Sequence, residues 1–151
     1  MKKICTLTYS FLISQIETLA FIAYTPLRDD FTSLASFGSV DEVAQSTILP
    51  KSDLAGNKDT SKLLSAVSKN NAYYFDYTAT PVVPIGETEK STGTLTKNIK
   101  TQHFRSIFTL LELKGAAGLT LVTITLQTSE DRYADMKGVF DNVIDSFGKV
   151  K

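Results

Sequence analysis

Two strand-like runs, His103–Leu113 and Leu119–Leu126, are separated only by the link Lys114-Gly115-Ala116-Ala117-Gly118. Runs of β type joined by a short glycine-bearing link read as an antiparallel hairpin. Thr120, Thr123 and Thr125 sit among Leu, Val and Ile in the second run, and branching at Cβ favours sheet over helix. A helix follows at once. After Thr128-Ser129-Glu130, the residues Tyr133, Met136, Val139, Phe140, Val143, Ile144 and Phe147 recur at helical spacing and form one apolar stripe. Asp131, Asp135, Asp141 and Asp145 lie mostly off that stripe, and Gly148 supplies a C-terminal stop. A one-sided helix and a sheet each have a face to bury, so the helix is expected on a face of the sheet.

The rest of the chain fits the same plan. Leu19–Tyr24 is apolar and aromatic and is closed by Pro26, which cannot donate to a central ladder, so it reads as a strand entering a turn. After the break at Phe37-Gly38, Ser39-Val40-Asp41-Glu42 has the spacing of a capping box. In that arrangement the serine oxygen accepts from the third helical N–H while the glutamate reaches back. Asp41 and Glu42 also suit the positive end of a helix dipole. The spacing predicts a short helix from Val40 to about Ile48, stopped before Pro50. Lys51–Lys62 is polar and carries Gly56-Asn57, which predicts a loop with a turn. Leu63–Ser68 opens the next strand. Ala72–Thr78 is the clearest strand by residue type, with Tyr73, Phe75 and Tyr77 on one face. Thr80–Lys100 is a long connection, and connections of that length inside a domain are usually functional. Strands with two helices on the sheet faces give an α+β fold, an α/β/α sandwich around a central antiparallel sheet.

Composition narrows the functions this fold can carry. The chain has 151 residues, 42% hydrophobic and 21% charged. That suits one domain burying roughly 70% of its unfolded surface without metal or disulfide staples. Sixteen basic and sixteen acidic residues cancel, which argues against nucleic-acid binding, where an excess of Lys and Arg faces phosphate. Cys5 is the one cysteine and His103 the one histidine. Thiol oxidoreductase, iron–sulfur and multi-histidine zinc chemistries are therefore excluded. No Gly-x-Ser-x-Gly elbow occurs, and Ser39, Ser129 and Asp135 make no triad with the lone histidine. At the N-terminus, Lys2-Lys3 precede the apolar-leaning run Ile4–Ile16, which is shorter than the roughly 20 residues of a membrane span. Residues 1–18 read either as a targeting remnant or as an edge strand, ahead of a domain over 19–151.

These pieces, in this order, resemble the PsbP family of extrinsic lumenal proteins of photosynthetic membranes. Ser36–Val43 (SFGSVDEV) is similar to that family's helix start after a strand ending in proline. Tyr73-Tyr74 with Asp76-Tyr77 resembles its aromatic strand, and His103 opens the following strand as a family histidine does. The block Leu121–Phe147 resembles the family's ending, with Arg132 followed by an aromatic and a helix closing on Ser146-Phe147. The resemblance covers about residues 19–148. It implies a six-stranded antiparallel sheet between helices, shared with Mog1-type proteins, and a docking role without catalysis. Tyr133 stands where tryptophan is usual, and residues 1–18 do not match the family's first hairpin, which is expected to be missing or diverged. The photosystem II member of the family binds on the lumenal side and helps retain calcium and chloride; others act in photosystem assembly. The implied partners are photosystem membrane subunits and other extrinsic lumenal proteins, at the thylakoid membrane of a chloroplast, peripheral to it. The competing classes are a transient assembly factor and, by fold analogy alone, a small-molecule-binding domain.

Two sets of residues are candidate sites. His103 is the only side chain that titrates naturally near neutrality. The reading we prefer is a hydrogen-bonded histidine at a sheet edge. The sharper one pairs it with Glu130, on the family's matching positions, as a weak divalent-ion (calcium or another) or proton-linked site. Two ligands are too few for a tight protein-built centre, so no tightly bound cofactor is expected. Lys97, Lys100 and Arg105 cluster at the end of the long connection, and an exposed basic set there would steer the domain onto an acidic surface. The aromatic strand and the helix stripe are assigned to core packing rather than to a pigment or quinone pocket.

Overall fold

A computed structural model describes residues 9–12, 18–49, 61–80 and 101–148 of the chain. Of the loop expected over Lys51–Lys62, residues 51–60 lie outside the described residues and Ser61 and Lys62 belong to a strand; of the connection expected over Thr80–Lys100, residues 81–100 lie outside them. The strands are β1 Tyr9–Leu12, β2 Thr18–Pro26, β3 Ser61–Lys69, β4 Ala72–Ala79, β5 Gln102–Glu112 and β6 Leu119–Ser129. They form one six-stranded sheet in the order β1-β2-β6-β5-β4-β3, antiparallel throughout. The helices are α1 Val40–Val43, continued by a wider π turn at Ala44–Ile48, and α2 Tyr133–Gly148, entered through a 3₁₀ turn at Glu130–Arg132. A further 3₁₀ turn covers Leu34–Phe37.

The sheet begins earlier than the sequence suggests. Tyr9–Leu12 pairs with β2 from Tyr9↔Ile22 to Leu12↔Leu19. The first hairpin is therefore present, and the segment before residue 19 contributes the edge strand. Four residues are enough to do so, because β2 already offers a straight ladder on its outer side.

Two hairpins fix the centre. β3 and β4 turn at Asn70 and Asn71, with φ of 51° and 60°. Positive φ at both central residues is the type I′ requirement, which asparagine tolerates better than most residues. β5 and β6 turn through a link whose Gly115 and Gly118 also have positive φ, 86° and 106°. The β5–β6 register holds from Gln102↔Ser129 to Glu112↔Leu119, so the expected hairpin extends beyond its predicted open end and stops one residue short of Leu113 at the turn.

Alternation then divides the side chains between two cores. Tyr73, Phe75, Tyr77, Phe108 and Leu110 pack with Leu34, Val43 and Ala44 beneath α1. Ala72, Ile107, Val122, Ile124 and Leu126 pack with Phe140 and Ile144 of α2 on the opposite face. The result is the sandwich. The capping box forms as expected: Ser39 N–H donates to Glu42 Oε2 at 2.8 Å and Glu42 N–H to Ser39 Oγ at 3.3 Å. The Tyr73 hydroxyl donates to the Gly38 carbonyl at 3.0 Å, fastening the start of α1 to β4.

The stripe on α2 is narrower than its sequence pattern. Phe140 and Ile144 are buried, and Tyr133, Met136 and Phe147 pack beside them. Val139 and Val143 are 50% and 38% exposed. At about 100° per residue, the five packed residues centre on Phe140, and the two valines fall progressively further round one flank. Asp141 falls on the other flank, and that side faces the charges described next.

Candidate functional site

β5 is the middle of the densest part of the sheet, and its α2-facing side chains run His103, Arg105, Ile107 and Thr109. From Ile107 onward that row is buried, with the Thr109 hydroxyl donating to the Asn71 carbonyl at 3.0 Å. At its beginning it is charged. His103 is 2% exposed, and its two ring nitrogens meet different carboxylates. Nδ1 lies 2.5 Å from Oε2 of Glu130, and Nε2 lies 2.6 Å from Oδ1 of Asp76. Strand pairing explains the second contact, since Thr78↔His103 and Asp76↔Arg105 are register partners and Asp76 reaches diagonally along the same face. The first follows from the 3₁₀ turn, which carries Glu130 back over the start of β5; its amide also donates to the Thr101 carbonyl at 2.9 Å. Tyr133 closes the site from α2. Its ring stacks on the imidazole with centroids 3.4 Å apart and planes within 8°.

Arg105 carries the network to the helix. Its Nη1 donates to Asp141 Oδ1 at 2.8 Å and to the Tyr133 hydroxyl at 3.2 Å, and its Nε lies 3.9 Å from Asp76 Oδ2. Lys137 donates to the other Asp141 oxygen at 2.8 Å, one helical turn away. With His103 protonated, three carboxylates alternate with three cations from Glu130 to Lys137. Burial by itself pulls the His103 pKa down. The hydrogen bonds to Asp76 and Glu130, and the charges of both, outweigh it and hold the pKa above its ordinary value. Asp141 is held below the usual carboxylate range by its bonds to Lys137 and Arg105. Beside Asp76 and Arg105 a groove of about 490 Å³ opens between α2 and β3, lined also by Val67, Lys69, Tyr74 and Ile144.

The expected pair His103 and Glu130 is thus brought into contact. The carboxylates take opposite ring nitrogens and do not converge on one point. Among the described residues no group of three or more His, Cys, Asp or Glu side chains is arranged to hold a metal ion. Of the expected basic set, Arg105 alone lies among the described residues. Lys97 and Lys100 lie outside the described residues. Arg105, with a side chain 19% exposed, points inward and is committed to Asp141 rather than displayed for docking. Sequence spacing does not single out Asp76, Asp141 or the Tyr133 hydroxyl as members of this site. Asp76 had a signal: it interrupts an aromatic strand at the position whose side chain must point to the face opposite Phe75 and Tyr77.

The model of the family described as PsbP matches residues 6–149. Among solved structures, the chain is similar to the solution structure of cyanobacterial PsbP (CyanoP) from Synechocystis sp. PCC 6803. The two share 16% identity with a TM-score of 0.47, over 93% of this chain and 79% of that one. No curated protein matches the sequence.

Proposed function

The chain belongs to the PsbP family, and on that premise we propose that it is a non-catalytic accessory protein bound peripherally on the lumenal side of a photosystem, most simply photosystem II. There it supports oxygen evolution by helping the complex retain calcium and chloride, in the thylakoid lumen of the chloroplast. The observation that carries this reading is the family match, which spans both cores and the edge strand. Two features of the chain support it. The one histidine is 2% exposed and its ring nitrogens are bonded to two carboxylates of the chain itself, so the charged ring ties elements of the fold together. No described helix is long and apolar enough to cross a membrane, as suits a peripheral partner. Lys97 and Lys100 are the proposed docking cations. Reversing both charges should release the protein from the membrane at lower salt, because exposed charge pairs are screened.

The test is stoichiometry. Photosystem I and photosystem II are purified from thylakoids of the cells that make the chain, and it is quantified in each by mass spectrometry. The reading expects about one copy per photosystem II. Trace amounts confined to incompletely assembled complexes would favour the alternative, an assembly factor for photosystem I or II. Recovery with neither photosystem contradicts both.

A further inference from the structure

His103 meets charged or titratable groups on several of the elements packed against it. Asp76 comes from β4 to Nε2, Glu130 from the 3₁₀ turn to Nδ1, and Tyr133 from α2 to the ring face. Arg105 of β5 lies behind Asp76, with Asp141 and Lys137 of α2 beyond it. On β6 the register partner is Thr128, whose hydroxyl bonds Thr18 and bears no charge. A neutral imidazole has one N–H and one lone pair. Carboxylates at both nitrogens are therefore satisfied together only by the doubly protonated ring. Loss of one proton turns a lone pair toward a carboxylate, and that contact must open.

The two carboxylates differ in how firmly they are held. Asp76 is 26% exposed and has Arg105 beside it. Glu130 is 49% exposed and can rehydrate by rotating outward. We propose that His103 is a proton-operated latch that, when charged, ties the Glu130–Arg132 turn and the first turn of α2 to β4 and β5, and that on deprotonation releases the Glu130 arm while keeping Asp76. The Tyr133 stack weakens in the same step, because a neutral ring gives up its cation–π attraction. The Glu130 amide stays bonded to Thr101, so the loosening is confined to the turn and the helix start. Because the two carboxylates raise the imidazole pKa despite its burial, the latch stays closed through the ordinary histidine range and opens on its alkaline side.

A single histidine makes the test direct. The Cε1–H resonance of His103 in the full chain gives the midpoint, and amide exchange, corrected for intrinsic rate, gives protection of residues 133–137 across the same pH range. We expect a midpoint above about 6.5, the ordinary value, and a roughly tenfold fall in protection in that step, the size of one charge-assisted hydrogen bond. Amides at Ile107 and Ile124 should keep their protection. A flat profile at 133–137, or a midpoint at or below the ordinary value, overturns the latch. In Glu130→Gln the amide can donate to a neutral Nδ1, so the protection step should vanish and the midpoint should fall. Persistence of the full step in that variant refutes the assignment. Zinc chloride supplies the last arm: a His103 resonance that saturates near one equivalent marks the ring as a metal ligand and overturns the latch, whereas an unmoved resonance supports it.

Discussion

The two faces of the sheet are held by different physics. Beneath α1 the contacts are aromatic: Tyr77 stacks on Phe104 at 4.8 Å, and Phe108 takes Phe37 edge-on at 5.2 Å and Tyr73 in parallel at 6.3 Å. Each such pair adds about 0.5–1.5 kcal/mol to simple burial, and none depends on charge. Beneath α2 the middle of the face is aliphatic, but its β4–β5 corner is an ionic chain in which every charge has a partner on another element or one helical turn away. Packing on that side brings the helix down; the charges then decide its alignment and make it sensitive to pH. An ionic chain buried only at its His103 centre is weak evidence for net stability and stronger evidence for a fixed arrangement.

The sharpest way to break this contrast is matched truncation. Phe108→Ala beneath α1 and Phe140→Ala beneath α2 both remove side chains 1–2% exposed, and each should lose about 3–5 kcal/mol in denaturant unfolding. A much smaller loss for Phe140 would mean that charge rather than packing seats α2. Next comes Arg105→Met, which leaves Asp76 and Asp141 without their shared cation and should lose about 2–3 kcal/mol. A loss that small salt additions erase would show the network to be a surface feature. Ser39→Ala removes the cap of α1 and should lose about 1 kcal/mol, without altering the His103 titration. Val139→Thr, on the exposed flank of α2, should change stability by less than about 0.5 kcal/mol; a larger loss would restore the wider stripe.

The faces also separate by pH. His103 is raised in the folded chain and returns to 6.5 when unfolded. Its contribution is therefore complete below about pH 6.5 and is lost as pH rises through the folded value. Glu42 in the α1 cap is held below 4.5 by the Ser39 hydrogen bonds. Its contribution is complete above that value and is lost on acidification, as is that of Asp141 on the other face. Denaturant midpoints measured from pH 5 to 10 should therefore decline on the alkaline side in the wild type and stay flatter in His103→Gln.

Much of this architecture was legible because it is periodic or local. Tyr73, Phe75 and Tyr77 alternate, Ser39 and Glu42 stand three apart, and the glycines at 115 and 118 mark a turn; each pattern has one economical solution. Asn70-Asn71, between two strand-like runs, is an equally good turn signal. The β1 edge strand was not legible, since four residues of mixed character gain their meaning only from the ladder on β2. The site was half legible. A lone histidine and a nearby glutamate stand out, but Asp76 and Asp141 join them only through strand register and helix roll, neither of which is written in spacing. Arg105 shows the same limit. Sequence groups it with Lys97 and Lys100, whereas alternation turns it inward.

Placement at the lumenal surface, peripheral to the thylakoid membrane, is decided by protease added to sealed, right-side-out thylakoids. The chain should survive until the vesicles are opened and should then be released by salt without detergent. Digestion in the sealed vesicles, or retention until detergent is added, contradicts it.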